Sequence, residues 1–245
     1  MSEEINTTKD VAEESTKKEG FFSEKKIEIL VAVFLGITAI LTAWASWIGS
    51  LHGGNQATNY TKSNNVSAEG NSEYNSAYQL YLSDQLAWNT MSEYNFDLEI
   101  ANAKGDEISA QLIEEKLDSY IQDNCSENMY EAFEEMRKMT DDINSPFEVE
   151  GMVDKYFETA NELLAESQAL LEEGQRDNAN GDAYNLVNVI YSLVLFMLGI
   201  IGVFKKIPNR AVVLIIAVVC LILATVYMCT IPMPTGFSIG SFFGA

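Results

Sequence analysis

The sequence predicts an all-α fold with three transmembrane helices and a long antiparallel helical stalk inserted between the first and the second. Three apolar runs, each about as long as the 20 residues that a helix needs to cross a bilayer, are Ile29–Leu51, Tyr184–Phe204 and Ala211–Ile231. None of the three contains a charged residue. Between the first two runs, apolar residues recur three or four positions apart, and the alternating patterns that predict strands are missing.

These runs divide the chain into seven segments. The predicted order is a cytoplasmic tail (1–26), the first span (27–51), a helical extracytoplasmic domain (52–183), the second span (184–204), a basic loop (205–210), the third span (211–231) and a short outer tail (232–245). The first span could also be a cleaved signal peptide, since Ala43-Trp44-Ala45 imitates a cleavage site. Its length and the long acidic tail before it favour an uncleaved anchor.

Basic residues near the ends of the spans predict the orientation. Lys25 and Lys26 precede the first span, and Lys205, Lys206 and Arg210 lie in the six-residue loop between the second and third spans. Cytoplasmic loops carry an excess of Lys and Arg. We therefore expect a multi-pass protein of a bacterial inner or plasma membrane, with the N-terminus in the cytoplasm and residues 52–183 outside.

The segment 52–183 is strongly acidic. It contains 28 acidic and 7 basic residues, which give it a net charge of −21. Nucleic-acid-binding surfaces are basic, so this composition argues against a nucleic-acid partner. Acidic residues on helices most often form a solvated surface, and we expect that here.

The acidic segment is expected to hold four helices. The first carries the stripe Tyr74, Tyr78, Tyr81, Gln85, Trp88 and Ser92; two shorter helices follow over Glu107–Gln122 and Ser126–Met139, the second with Ser126 as its N-cap. A loop around Pro146 separates them from a fourth helix, whose stripe begins at Val149 and which continues into the second span. Gly174 and Gly181 are expected to loosen that helix.

Catalytic, metal and cofactor chemistry have little support in the sequence. The one histidine, His52, and three cysteines cannot supply the several ligands that a zinc site needs, and no phosphate-binding or dinucleotide motif is present. A calcium loop at Asp141, Asp142, Asn144, Glu148 and Glu150 lacks the central glycine and the ligand spacing of an EF-hand. Cys125 is interpreted as a lone buried thiol, with a link between protomers as the alternative. We expect no enzymatic activity, no cofactor and no metal site.

Polar side chains lie in the first two spans, in their outer halves except for Thr38, which lies deeper. They are Thr38, Thr42 and Ser46 in the first span and Asn185, Asn188 and Ser192 in the second. Hydroxyl and amide groups between helices in lipid form hydrogen bonds across the contact. We interpret the six residues as a helix-packing seam, and the alternative is the lining of a pore formed by several copies.

Several short motifs resemble parts of a known group of proteins. They are TAWAS at Thr42–Ser46, GNQA at Gly54–Ala57, SPF at Ser145–Phe147 and GDAYNLVNVIYSLVLFMLGI over residues 181–200, followed by a basic turn and a span that ends near Pro232. In this order they resemble uncharacterised bacterial three-span membrane proteins with a helical extramembrane insert. The resemblance implies no known activity and no functional residue.

The predicted function is therefore a non-enzymatic one. We expect a structural or regulatory envelope module that presents an acidic helical domain for protein–protein interaction. Its expected partners are the lipid bilayer and either further copies of itself or other envelope proteins. The alternative is a homo-oligomeric channel lined by the hydroxyl and amide side chains of the spans.

Overall fold

A computed structural model describes residues 24–139, 144–203, 209–238 and 240, and all regular secondary structure in these ranges is helical. The five α-helices are α1 (Glu24–Lys104), α2 (Glu107–Asn124), α3 (Glu127–Met136), α4 (Met152–Val203) and α5 (Arg210–Thr230); a short 3₁₀ helix, Pro146–Glu148, precedes α4. The predicted all-α class is confirmed.

Three of these helices, α1, α4 and α5, are long and apolar enough to cross a membrane. The predicted first span lies inside α1, the second coincides with the end of α4, and the third matches α5 to within one residue at each end. Gly174 and Gly181 do not interrupt α4, so the loosening expected at these glycines is not found.

The chain divides into two compact units. We call residues 1–56 with 176–245 the terminal unit, and residues 57–175 the insert unit. Because α1 and α4 are long, each contributes one part to each unit.

The terminal unit contains the apolar parts of α1, α4 and α5. Its core includes Ile48 of α1, Tyr184, Tyr191 and Leu198 of α4, and Ala217 of α5, all of them fully or almost fully buried. Large apolar side chains such as Ile40, Val189 and Leu223 point outward and are exposed. An apolar exterior around a packed core is what a helix bundle presents to lipid.

The insert unit has a core of its own. Met91 of α1, Leu117 of α2, Met129 and Phe133 of α3, and Met152 of α4 are at most 2% exposed. In the insert unit, α1 and α4 therefore each bury one face against α2 and α3. Such packing is the main source of helix stability in a protein.

The buried face of α1 in the insert unit differs from the predicted stripe. Tyr74 and Tyr78 are exposed, whereas Ala77, Ala87 and Met91 are buried. The other four members of the stripe are half-buried, and two alanines together with Met91 occupy buried positions of this face.

Candidate functional site

The six polar residues predicted to form a seam occupy different environments in the terminal unit. Thr38 is fully buried, Thr42 and Asn188 are half-buried, and Ser46, Asn185 and Ser192 are exposed. The structure therefore does not gather all six into one buried contact within a single chain.

The hydroxyls among these residues bond along their own helices. Thr38 Oγ1 donates to the Phe34 carbonyl and Thr42 Oγ1 to the Thr38 carbonyl, both at 2.7 Å, and Ser192 Oγ donates to the Asn188 carbonyl at 2.8 Å. These bonds satisfy the hydroxyls without a second helix. Asn188 Oδ1 is buried and has no hydrogen-bond partner among the described residues.

A buried polar cluster that the sequence did not predict lies elsewhere in the terminal unit, around His52. The imidazole is 1% exposed and sits on α1 directly after the apolar run. Its Nδ1 lies 2.7 Å from Oδ1 of Asp177 on α4, and its Nε2 lies 3.1 Å from the carbonyl oxygen of Pro232.

Neighbouring residues on α4 shape the space around this ring. A Cβ placed on Gly181 would lie 3.6 Å from the Cβ of His52, in ordinary van der Waals contact. The Tyr184 ring stacks on the imidazole with the ring centroids 5.8 Å apart. The imidazole is thus held between Asp177, Tyr184 and the chain that follows α5.

The chain after α5 makes further contacts with the helices of this unit, among them one from the Tyr184 hydroxyl to the Met233 sulfur at 3.9 Å. Asn55 Nδ2 donates to the Thr235 carbonyl at 3.1 Å. The Phe237 ring lies edge-on to Trp44 and Trp47, at centroid distances of 6.2 and 5.7 Å. Residues 231–237, which we call the C-terminal strap, are therefore fixed by His52 at one point and by Asn55 and the two tryptophans at others.

A second buried polar cluster lies in the insert unit, around Asp84 of α1. Its carboxylate accepts hydrogen bonds from the backbone N–H of Ser126 at 2.9 Å, from the Ser126 hydroxyl, and from the Tyr156 hydroxyl at 2.6 Å. Asp84 is 1% exposed. The three donors replace water around the buried carboxylate and tie α1 to the N-cap of α3 and to α4.

This carboxylate also changes the acidity of its neighbours. Burial, followed by the hydrogen bond to Asp84, raises the pKa of the Tyr156 hydroxyl, so the phenol is neutral at physiological pH. Burial, followed by the Asp84 charge, raises the pKa of the half-buried Cys125 thiol from 9.0 to about 11. The thiolate is the reactive form of cysteine, so Cys125 is not arranged as a nucleophile.

An open groove of about 520 Å³ lies beside this core in the insert unit. Its apolar lining includes Trp88, Phe96 and Phe133, and its polar lining includes Glu99 and Arg137. The Arg137 guanidinium lies over the Phe133 ring, 4.7 Å from its centroid. The groove combines aromatic surface with a few polar groups, a combination typical of binding sites.

Within the part of the chain that the structure describes, no three His, Cys, Asp or Glu side chains come close enough together to hold a metal ion. Asp141 and Asp142 of the possible calcium loop lie outside the described residues. Of its other members, Glu148 Oε2 accepts a hydrogen bond from the Asn144 backbone N–H at 3.3 Å.

The comparisons with known proteins found no relative. A scan against protein-family models, a search of curated proteins and a search of solved structures each returned no match. The chemistry of the site must therefore be argued from the residues themselves.

The sequence reasoning missed both buried carboxylates, although the helical period contained a signal for one of them. The predicted stripe of α4 begins at Val149, and continuing it by three or four residues at a time reaches Gly174, Asp177 and Gly181. An acidic residue in line with a buried stripe needs a partner. That partner is the one histidine of the chain, 125 residues away in sequence.

Proposed function

We propose that this chain is a non-enzymatic membrane protein whose acidic insert unit, residues 57–175, is a structural or regulatory module that binds another protein. The observation that carries the proposal is the groove beside Phe96, which lies next to a buried core in a unit of high negative charge. The three apolar helices α1, α4 and α5 would anchor the module in the membrane.

The packing of the insert unit supports a role as a scaffold. The Asp84 cluster and the methionine- and phenylalanine-rich core hold the helices in fixed positions. A preformed surface binds with less loss of conformational entropy than a flexible one.

The surface chemistry supports protein binding in particular. Residues 57–175 contain 26 acidic and 6 basic residues, a net charge of −20. Phe96 in the groove is 63% exposed although it is large and apolar. Aromatic residues are enriched at the centres of protein interfaces, and the surrounding charge favours a partner with a basic surface.

A photo-crosslinking experiment in cells tests this proposal. Benzoylphenylalanine at Phe96 should give a crosslinked adduct of one defined mass, whereas the same residue at Leu112, which is also exposed but lies outside the groove lining, should not. The proposal fails if Phe96 gives no adduct, or if both positions give the same set of adducts.

The antiparallel stalk is part of the same proposal. Three pairs of contacts within the insert unit support it: Ser63 with Ser167, Gly70 with Leu163, and Asp84 with Tyr156. Positions rise along α1 while they fall along α4, as in antiparallel helices. We further propose that the N-terminus is cytoplasmic and the insert unit extracytoplasmic, in a bacterial inner or plasma membrane, on the basis of the basic residues beside the spans and the resemblance described above.

A second function, a homo-oligomer that forms a channel, is favoured by a different observation. Asn185 and Ser192 are seven residues apart on one face of α4, and both are exposed on the terminal unit. A polar face on the exterior of a membrane bundle is more stable against another polar face or water than against lipid. A second copy could provide that environment.

The purified full-length protein in nanodiscs or detergent tests the oligomer. Mass photometry or native mass spectrometry should give more than one copy per particle, and Asn185→Leu should shift the distribution toward the monomer. Replacing Leu186, its exposed apolar neighbour, by isoleucine provides the control. Planar-bilayer recordings then decide about conduction: silence at all voltages from an intact oligomer would reject the channel and keep the oligomer.

A further inference from the structure

We propose that the His52–Asp177 pair is a proton-binding site, and that the bound proton fastens the C-terminal strap, residues 231–237, to α1. The proposal is independent of what the insert unit binds. It rests on the two groups that the imidazole faces, both of which are hydrogen-bond acceptors.

The imidazole faces two acceptors, and each hydrogen bond to them needs an N–H of the ring. The Pro232 carbonyl oxygen, 3.1 Å from Nε2, can only accept, so Nε2 must carry a hydrogen. The Asp177 carboxylate, 2.7 Å from Nδ1, also accepts. A neutral imidazole has one N–H, whereas the imidazolium has two. Both contacts are satisfied when the pair holds one added proton, as in an imidazolium that donates to Asp177 and to Pro232 at the same time.

The surroundings supply one compensating charge. Asp177, 5% exposed, is the charged group that faces the ring from α4. The other titratable group on α4 that faces it is the Tyr184 phenol, whose neighbour at the end of α5 is the Cys229 thiol. Along the same helix, Arg176 and Asp182 are exposed, and Glu173, four residues before Asp177, is half-buried. A buried imidazolium paired with a single carboxylate is thus electrically balanced.

Loss of the proton would change the contact between Nε2 of His52 and the Pro232 oxygen. The carboxylate retains the hydrogen on Nδ1, so deprotonation removes the hydrogen from Nε2 and leaves its lone pair facing the Pro232 oxygen. That contact then changes from a charge-assisted hydrogen bond to a repulsion between two acceptors. The strap is held while the pair binds the proton, and it loses this attachment when the pair releases it.

The wild-type protein allows a direct test because His52 is the one histidine in the sequence. Full-length protein labelled with ¹⁵N-histidine is placed in nanodiscs and titrated by NMR from about pH 5 to about pH 9, the range around imidazole titration. We expect both ring nitrogens to be protonated at the acidic end and Nε2 alone to lose its hydrogen. Hydrogen–deuterium exchange of residues 233–237, corrected for the intrinsic effect of pH, should accelerate about tenfold across the same transition, the ratio expected from one charge-assisted hydrogen bond.

A pair of matched variants separates this site from a general effect of charge. Asp177→Asn should give a ring with one N–H under conditions where the wild-type ring has two, together with a fast-exchanging strap. Asp182→Asn, the same change at an exposed site of the same helix, should behave as wild type. A ring that stays neutral throughout the titration would overturn the proton site. A ring that titrates while exchange of the strap stays constant would overturn the fastening.

Discussion

At the scale of single residues, Asp84 has the most specific role in the insert unit. Its carboxylate serves donors from Ser126 and Tyr156, so we predict that Asp84→Asn destabilises the protein. An amide places an NH₂ group where one carboxylate oxygen accepted a hydrogen bond, and the loss should be roughly 2–3 kcal/mol. Chemical denaturation of the full-length protein in detergent, followed by circular dichroism, measures it.

The exposed Asp97 on the same helix provides the control. Asp97→Asn removes the same charge without a buried hydrogen-bond network, and it should change the stability by at most about 0.5 kcal/mol. Equal effects of the two substitutions would mean that the Asp84 cluster contributes only net charge.

The Cys125 thiol gives a prediction about reactivity and pH. Its pKa of about 11 leaves about a hundredfold less thiolate at pH 8 than a cysteine with the ordinary value of 9.0. In a Cys220→Ala, Cys229→Ala background, iodoacetamide should therefore modify native Cys125 about a hundredfold more slowly than the unfolded chain. The rate should increase with each rise in pH up to about 11. Rapid alkylation of the folded protein at pH 8, followed by mass spectrometry, would contradict this.

Local features of single residues were predictable where the signal is local. Ser126 was predicted as an N-cap, and its hydroxyl accepts a hydrogen bond from the Met129 N–H, which confirms the prediction. His52 and Asp177 could not be paired in the same way, because no local rule relates residues 125 positions apart. Asp84 was missed for a related reason: Ser126 and Tyr156, its partners, come from other helices.

At the scale of elements, the sequence predicted where the short helices lie better than which of their residues are exposed. The predicted Glu107–Gln122 corresponds to α2, Glu107–Asn124, and the predicted Ser126–Met139 contains α3. Yet Ile108 and Leu112, two of the apolar residues at helical spacing in α2, are exposed. Helical period defines a stripe, but the position of the neighbouring helices decides which edge of the stripe is covered.

Gly174 lies inside α4 without interrupting it, and its lack of a side chain has a packing reason. A Cβ on Gly174 would lie 2.5 Å from two ring carbons of Tyr60, so the glycine makes room for that ring. Gly174→Ala should destabilise the protein by about 1–3 kcal/mol through this overlap, even though alanine favours helix. Thermal unfolding of the full-length protein measures the change.

The matched control is Gly53→Ala. Gly53 is also inside a helix, but nothing lies within 4 Å of a Cβ there, so alanine should stabilise by about 0.5–1 kcal/mol. If both alanines were stabilising, the contact between Gly174 and Tyr60 would not be part of the folded state in solution.

At the scale of the whole molecule, the apolar helices were the most predictable feature. Twenty consecutive apolar residues need no knowledge of partners, and each of the three predicted spans lies on a helix that is apolar and long enough to cross a membrane. The division into units was less accessible, because residues such as His52 and Asp177 belong to the terminal unit although they lie beyond the apolar runs.

The proposed orientation gives a prediction at this scale. In a background without native cysteines, Ile108→Cys should react with a membrane-impermeant maleimide on intact cells, because residue 108 is 76% exposed in the insert unit. Ser2→Cys should react only after the cells are permeabilised. The reverse pattern would invert the orientation argued from the basic residues.

Arg210 combines two determinants of topology in one side chain. Its Nη2 donates to the Ile201 carbonyl at 2.9 Å, and the residue is 8% exposed at the start of α5. The last carbonyls of a helix lack partners within that helix, so the guanidinium caps the end of α4 as well as adding positive charge to the loop. Lysine at this position would keep the positive charge on which the proposed orientation rests, but not the planar donor geometry. In that variant the loop would keep its positive charge, and with it the proposed orientation of the chain. The end of α4 and the start of α5 would nevertheless be incompletely joined.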